Sequence, residues 1–160
     1  MPEKSVTELE EMIGKSRVTV EGLTIEAGKV AEFATALRDD NPGYRDADAA
    51  SEQGFDAIPA PLTFTQVARH DHYKPADFDD NGIQGFDLGF DEDRTVHGEQ
   101  EYEYERPALV GETLTGTTTL TDVFQRDGSD GSMTFAVLTT EYRNSDDELL
   151  VTERRTAIET

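Results

Sequence analysis

Imidazole groups are the side chains of this sequence that are best suited to proton transfer or metal binding near neutral pH. The chain has three histidines and no cysteine. His70 and His72 have a spacing that can ligate a metal on a strand, but at the end of a predicted helix this signal is weak. His97 opens a predicted strand, where a structural hydrogen-bonding role and a catalytic role both stay open. We expect no metal and no cofactor.

A second group of polar residues surrounds a proline at the end of a predicted helix. Asp39 and Asn41 lie just before Pro42, and the residue before a proline avoids helical backbone angles. Local chemistry alone therefore predicts that these two residues end a helix and form a turn, with no reaction at this place.

Helical patterns dominate the first part of the chain. Ser5 and Glu8 fit a capping box at the start of a helix, which Gly14 ends. Alternating β-branched residues over 17–25 predict a strand. The next helix is predicted over 27–38, with an apolar face made of Val30, Phe33, Ala34 and Leu37.

The middle of the chain is less regular. Asp46 is a candidate cap for a short helix that runs through Ser51. After an extended stretch over 58–61, Pro61 suits the first position of a second apolar helix. The stretch 70–93 is rich in Asp, Gly and Phe and predicts a long loop, a feature that is usually functional or mobile.

The last third predicts antiparallel strands joined by tight turns. Glutamates at alternate positions 99–105 form one face of the first strand, opposite an apolar face made of Val96, Tyr102 and Tyr104. In the strand over 113–125, we expect the side chains of Leu114, Leu120 and Phe124 in register on one face. A turn cluster over 127–131 leads to strands over 133–142 and 149–158. Helices followed by an antiparallel sheet indicate the α+β class.

The polar turn carries a resemblance that the local chemistry does not explain. Residues 38–46, which read RDDNPGYRD, resemble the G-D-x-N-P-x-H-x-D signature of the MaoC-like hydratases and dehydratases. Residues 60–64 (APLTF) are similar to the A-P-P-T-F segment of that family. The stretch 96–104, with Arg106, Pro107 and Gly111, resembles the following strand and turn in the family's N-terminal-half type. Gly131, Met133 and residues 151–154 fit as well.

This resemblance covers about residues 10–158 and implies one hot-dog domain over 1–160, with an antiparallel sheet wrapped around a central helix. It also implies a reaction, the reversible hydration of a trans-2-enoyl thioester to an (R)-3-hydroxyacyl thioester. In the family an Asp and a His hold and activate the water, because water alone is a poor nucleophile.

The site residues follow from the same resemblance. Tyr44 occupies the position of the family's His, and a tyrosine with a pKa near 10 is a poor general base at neutral pH. The implied catalytic positions are therefore Asp39, Asn41 and Tyr44, with the histidine absent. The implied substrate-binding residues are Pro61, Thr63, Phe64 and His97. Four phenylalanines could line an acyl tunnel or simply form the core: Phe64, Phe78, Phe86 and Phe90.

Three functional hypotheses remain open. The first is an acyl-thioester-binding, non-catalytic subunit of a hydratase or dehydratase, in which a partner hot dog supplies the Asp and His. The second is a stand-alone homodimeric enoyl-CoA hydratase that uses Asp39 with His97 or Tyr44. The third is an acyl-thioester-binding module without turnover. Under all three hypotheses we expect the ligand to be an acyl-CoA or acyl-carrier thioester. We also expect the chain to form a homodimer or a heterodimer.

The composition excludes several partners. The chain has 160 residues, with 35 acidic against 14 basic side chains and a formal net charge of −21. Such a surface repels nucleic-acid phosphates and anionic lipid, so we expect neither as a partner. The longest apolar run, residues 135–138, falls far short of the roughly 20 residues of a membrane span. Because the first residues have no apolar stretch typical of a signal peptide, we expect a cytoplasmic protein.

The acidity also predicts a salty environment. The carboxylates are dispersed along the chain, and the bases are ten arginines with only four lysines. This composition is typical of proteins from very salty cytoplasm, where ions screen the repulsion between like charges.

Overall fold

The structure is a computed structural model that describes residues 2–128 and 131–160. Short 3₁₀-helices lie at Pro42–Tyr44, Phe64–Arg69, Asp71–Tyr73 and Glu92–Arg94. The α-helices within these ranges are α1 Val6–Glu10, α2 Ala27–Ala36 and α3 Ala47–Glu52, and the strands are β1 Ser16–Thr24, β2 Thr95–Tyr104, β3 Thr113–Gly128, β4 Gly131–Arg143 and β5 Leu149–Glu159.

One antiparallel sheet organises the molecule, with the strand order β1-β3-β4-β5-β2. The α+β class predicted from the sequence is confirmed. Strands β3 and β4 form a long hairpin, paired from Thr115 with Arg143 to Gly128 with Gly131. Ser129 and Asp130, the middle of the predicted turn cluster, lie outside the described residues. Strands β1 and β2 form the two edges of the sheet.

The helices and the long loop cover one face of this sheet, which we call the inner face. Two clusters of buried side chains form the core there, each contributed by the sheet and by the segments that cover it. Leu23, Val30 and Phe64 belong to the first cluster, and Leu9 and Leu138 to the second. Burial of these apolar side chains stabilises the fold by roughly 1.5–3 kcal/mol each.

Helices α1 and α2 begin where the sequence predicts, but they end earlier than predicted. Ser5 N donates to Glu8 Oε2 at 2.8 Å and Glu8 N donates to Ser5 Oγ at 3.3 Å, so the predicted capping box is confirmed. Helix α2 ends at Ala36, and Leu37 is 51% exposed. The prediction that Leu37 belongs to the apolar face is wrong, because Arg38 takes a φ of 58° and turns the chain away from the core.

The second apolar helix exists, but it is a 3₁₀-helix over Phe64–Arg69 and not a longer α-helix. Its sequence contains the β-branched residues Thr65 and Val67, with Thr63 just before it. Such side chains lose rotamer freedom against the preceding turn and lower helix propensity. The central segment of the hot dog is therefore a short 3₁₀-helix.

A β-bulge in β3 changes which residues face the core. The register shifts between Leu120 and Asp122, so that Val123 is buried beside Leu120. Phe124 lies on the outer face instead, where it stacks on Phe135 with ring centroids 4.7 Å apart. The prediction that Phe124 shares one register with Leu120 is wrong, because an extra residue reverses the alternation of side chains.

A second bulge has the same effect in β2. The register shifts between His97 and Glu99, on either side of Gly98. Val96 is consequently 49% exposed on the outer face, and the prediction that it shares a face with Tyr102 is wrong. The glutamates at 99, 101, 103 and 105 are all exposed, as the sequence predicted.

Candidate functional site

The turn after α2 is held together by its own polar side chains. Asn41 N donates to Asp39 Oδ1 at 3.0 Å, and Gly43 N donates to Asn41 Oδ1 at 3.0 Å. The side-chain amides of Asn41 and Gln53 exchange two further hydrogen bonds, at 2.7 and 3.2 Å. The amide of Asn41 is thus occupied by structural partners, as the local interpretation of this turn predicted.

Tyr44 lies in the same turn and packs against the first core cluster. Burial and, second to it, the negative charge of Asp39 raise the pKa of the Tyr44 phenol above its ordinary value of 10.0. Near neutral pH the side chain is therefore protonated, and it can donate a hydrogen bond but has no tendency to take up a proton.

The residues around the 3₁₀-helix lie mainly in the core. Phe64 is 2% exposed and meets Phe33 edge to face, with ring centroids 5.4 Å apart. Pro61 and Phe64 line a cavity of about 10 Å³, which is too small for an acyl group. Thr63 precedes the helix without a capping hydrogen bond from its side chain.

His97 lies beside the bulge of β2 and is paired with the neighbouring strand. Arg155 Nε donates to His97 Nδ1 at 3.1 Å, so the ring carries its proton on Nε2. Burial lowers the pKa of His97, and the positive charges of Arg155 and Arg69 lower it further, against the opposite effect of Glu153. The imidazole is therefore neutral near pH 7.

Glu153 is the central member of a buried polar network on the inner face. Its side chain is 2% exposed. Gln100 Nε2 donates to Glu153 Oε1 at 2.9 Å, and the Tyr142 hydroxyl donates to Glu153 Oε2 at 3.4 Å. Gln66, which lies in the 3₁₀-helix, donates a hydrogen bond from Nε2 to the Tyr102 hydroxyl.

This network was not predicted from the sequence, although β5 carried a signal for it. Val151, Glu153, Arg155 and Ala157 alternate along one side of the strand. A carboxylate and a guanidinium at positions that otherwise face a core are unusual, because a buried charge needs hydrogen-bonding partners.

A cavity of about 240 Å³ lies between the sheet, the 3₁₀-helix and the long loop. Thr19 hydrogen-bonds Thr118 at 2.6 Å, and Thr118 hydrogen-bonds Thr140 at 2.7 Å, so a chain of hydroxyls crosses the adjoining strands. Of the four phenylalanines considered for a tunnel, Phe78 lines this cavity, whereas Phe64 and Phe86 are core residues. Phe90 packs against the second cluster. The polar lining residues include Thr19, Arg69, Gln84, Thr140, Tyr142, Glu153 and Arg155.

The structure brings the predicted residues together only in part. Asp39, Asn41 and Tyr44 share one turn, whereas His97 lies with Arg155 near the cavity. Within residues 2–128 and 131–160, no hydrogen bond or ion pair joins His97 to that turn. The ring of His70 accepts a hydrogen bond from His72 N at 3.2 Å. Over the same described ranges, no group of three or more His, Asp or Glu side chains could hold a metal ion.

Among the described residues, none of the helices has the length and apolar composition needed to cross a bilayer.

Comparisons with known proteins show the family and the fold of the chain. The model of a family described as the FAS1-like dehydratase domain region matches residues 11–153. A UPF0336 protein from Streptomyces avermitilis is 34% identical over 118 residues, which cover 74% of this chain and 75% of that protein.

Two solved structures share the fold. The first is a C-terminally truncated HadBC (3R-hydroxyacyl-ACP dehydratase) complex from Mycobacterium tuberculosis, which superposes with a TM-score of 0.73 at 24% identity, covering 92% of this chain and 96% of that chain. The second is a MaoC-like dehydratase with a TM-score of 0.75, also at 24% identity, covering 94% of this chain but 43% of that one.

Proposed function

This chain belongs to the FAS1-like dehydratase domain region family of MaoC-like hot-dog proteins, and we propose that it is the acyl-thioester-binding, non-catalytic subunit of an (R)-specific enoyl-CoA hydratase or 3-hydroxyacyl dehydratase. In the hydration direction, a base takes a proton from water, the water oxygen bonds to C3 of the enoyl group, and C2 receives a proton. A partner hot dog supplies the Asp and His for these steps, and this chain holds the acyl group.

The observation that carries this proposal is Tyr44 at the place of the family's histidine. A phenol whose pKa is raised by burial cannot serve as the base near neutral pH. His97 does not replace it, because Arg155 occupies its Nδ1 and two nearby guanidinium groups oppose the uptake of a proton. On this proposal the catalytic groups therefore come from a second subunit.

The comparisons support a partner subunit. The HadBC structure is that of a complex, and this chain spans 43% of the MaoC-like dehydratase chain, which leaves room there for a second domain. Strand β2 is also an edge strand, so within the described residues no strand pairs with its outer side. Such an edge commonly pairs with another chain. We therefore expect the partner to be a second hot-dog domain that completes the site.

The test is a crotonyl-CoA hydration assay in molar salt. We expect no turnover by the pure chain and turnover after addition of a hot-dog partner that carries the G-D-x-N-P-x-H signature. Turnover by the pure chain that Asp39→Asn abolishes, while Asp40→Asn at the exposed neighbouring carboxylate does not, would instead identify a stand-alone enzyme. Acyl-CoA binding without turnover with any partner would identify a binding module.

A further inference from the structure

Arg69 and Arg155 both line the 240 Å³ cavity. Across residues 2–128 and 131–160, neither Arg69 nor Arg155 forms an ion pair with a carboxylate. Lys74, which also lines the cavity, is paired with Asp71 at 2.7 Å and with Asp80 at 2.6 Å. In a chain with 35 acidic and 14 basic side chains, unpaired guanidinium groups that share one cavity indicate a place for an external anion.

The charges around the cavity leave room for one negative group. Glu153 is present, but its oxygens receive hydrogen bonds from the neutral Gln100 and Tyr142. Lys74 is paired with Asp80, which lines the cavity, and with Asp71, which does not. The residues that line the cavity carry three positive charges, on Arg69, Lys74 and Arg155, against two negative charges, on Asp80 and Glu153, an excess of one that a monoanion would match.

The positive charges of Arg69 and Arg155 repel each other. Burial lowers the pKa of Arg155, and the charge of Arg69 lowers it further, against the opposite effect of Glu153. Arg155 stays charged near pH 7 because a guanidinium releases its proton only at far higher pH. An anion between the two side chains would relieve their repulsion.

The rest of the lining also suits a small polar group better than a long alkyl chain. Gln84 Oε1 is buried and has no hydrogen-bond partner among the residues that the structure describes, so it can accept a hydrogen bond from a water beside the ligand but not from a carboxylate. The hydroxyls of Thr19 and Thr140 and the Tyr142 ring adjoin the same space. A saturated tail would remove these polar groups from water without replacing their hydrogen bonds. The volume is also below the roughly 300–1,000 Å³ of typical ligand sites.

We infer that this cavity binds the carboxylate end of a short dicarboxylic acyl group, with Arg69 at the exposed mouth and Arg155 deeper in the cavity as its partners. The inference rests on the proposed function, because it takes the acyl group to be carried into the cavity as a thioester. A guanidinium can hold a carboxylate through two parallel hydrogen bonds, which also orients the acyl chain.

The experiment compares two thioesters of equal carbon number, glutaryl-CoA and pentanoyl-CoA, by isothermal titration calorimetry at one fixed molar salt concentration. We expect glutaryl-CoA to bind at least about tenfold more tightly, the ratio that one charge-assisted hydrogen bond supplies. Arg69→Gln should remove most of this preference. This variant is expected to fold, because Arg69 is exposed and has no ion pair to lose within the described residues.

Arg126→Gln is the matched control. It removes the same charge from the outer face, where Arg126 lies over the rings of Phe124 and Phe135, and it should keep the full preference. Equal or tighter binding of pentanoyl-CoA, or a preference that survives Arg69→Gln, would overturn the inference.

Free glutarate separates this inference from the proposed function. If no acyl-CoA binds but glutarate does, and Arg69→Gln weakens that binding, the cavity is an anion site and the thioester function fails. If acyl-CoA binds without regard to its terminal group, the thioester function stands and the inference fails. If neither ligand binds, both are wrong.

Discussion

His97 and Tyr44 both carry groups that could exchange protons, and in both cases the neighbours remove that ability. Arg155 donates to His97 Nδ1, and burial with nearby positive charge lowers the pKa of the ring. Burial and Asp39 raise the pKa of Tyr44. At the scale of single residues, the sequence identifies which side chains could exchange protons. The protonation state of His97 depends on Arg155 and Arg69, which are distant in the chain, whereas the charge that acts on Tyr44 is that of Asp39, five residues away.

The lowered pKa of His97 predicts how stability changes with pH. Below about pH 6.5 the unfolded chain binds a proton on this ring more readily than the folded chain does, so acidification destabilises the fold. His97→Gln removes this contribution. Thermal melts from about pH 7.5 to about pH 5.5 should therefore show a smaller fall in melting temperature for His97→Gln than for the wild type.

His72→Gln provides the control, since His72 is exposed and should behave as the wild type does over the same range. An equal fall in melting temperature for all three proteins would contradict the placement of His97 beside Arg155 and Arg69.

Two turns at one end of the sheet are joined by an ion-pair network. Arg106 donates to Glu112 Oε1 at 2.6 Å and to Glu148 Oε2 at 2.6 Å, and Asn144 donates to both glutamates. Burial alone would raise the pKa of Glu112, but hydrogen bonds from Arg106, from Leu109 N and from Asn144 outweigh it and lower the pKa to about 2. At the scale of elements, this network fixes the connection between β2 and β3 against the connection between β4 and β5.

Replacement of Glu112 should therefore be costly. Because its folded-state pKa lies below the ordinary 4.5, its contribution is complete above about pH 4.5 and is lost as the pH falls toward about 2. Glu112→Gln should lower the free energy of unfolding at pH 7 by about 1.5–3 kcal/mol, as expected for hydrogen bonds to a charged group. Urea denaturation of the variant and the wild type measures this difference.

The difference between the two proteins should shrink as the pH is lowered through the same window. Glu105→Gln is the control, because Glu105 is exposed and its replacement should change stability by less than about 0.5 kcal/mol. A pH-independent difference for Glu112→Gln would mean that shape, and not charge, makes Glu112 important.

The charge of −21 acts on the whole molecule. Exposed carboxylates such as Glu99 and Glu103 lie on one face of a strand and repel other exposed carboxylates. The screening length falls from about 10 Å at 0.1 M salt to about 3 Å at 1 M, so that molar salt removes most of this repulsion. The folded chain should therefore be more stable in molar salt than in dilute buffer.

Thermal melts followed by circular dichroism in about 0.1 M and about 2 M potassium chloride test this expectation. We expect a clearly higher melting temperature at high salt. The double variant Glu99→Gln with Glu103→Gln should show a weaker salt dependence, since it removes two of the repelling charges. An unchanged melting temperature from dilute to molar salt would contradict adaptation to a salty environment.

The sequence by itself determined those features that depend on near neighbours. The capping box of Ser5 and Glu8, the turn at Asn41 and the alternating glutamates of β2 were all predicted, because their contacts lie within a few residues. The α+β class followed from the periodicity of apolar residues, and the family from ordered motifs along the chain. The tyrosine at the family's histidine position, Tyr44, is likewise a property of the sequence alone.

Only the tertiary structure decided the features that depend on distant contacts. The bulges at Gly98 and between Leu120 and Asp122 reversed the expected faces, because pairing with a neighbouring strand sets where an extra residue is accommodated. The central segment forms a 3₁₀-helix, and residues of that helix line the cavity. Arg69 and Arg155 are 86 residues apart in the chain and line one cavity only because the 3₁₀-helix packs against the sheet, which no local pattern encodes.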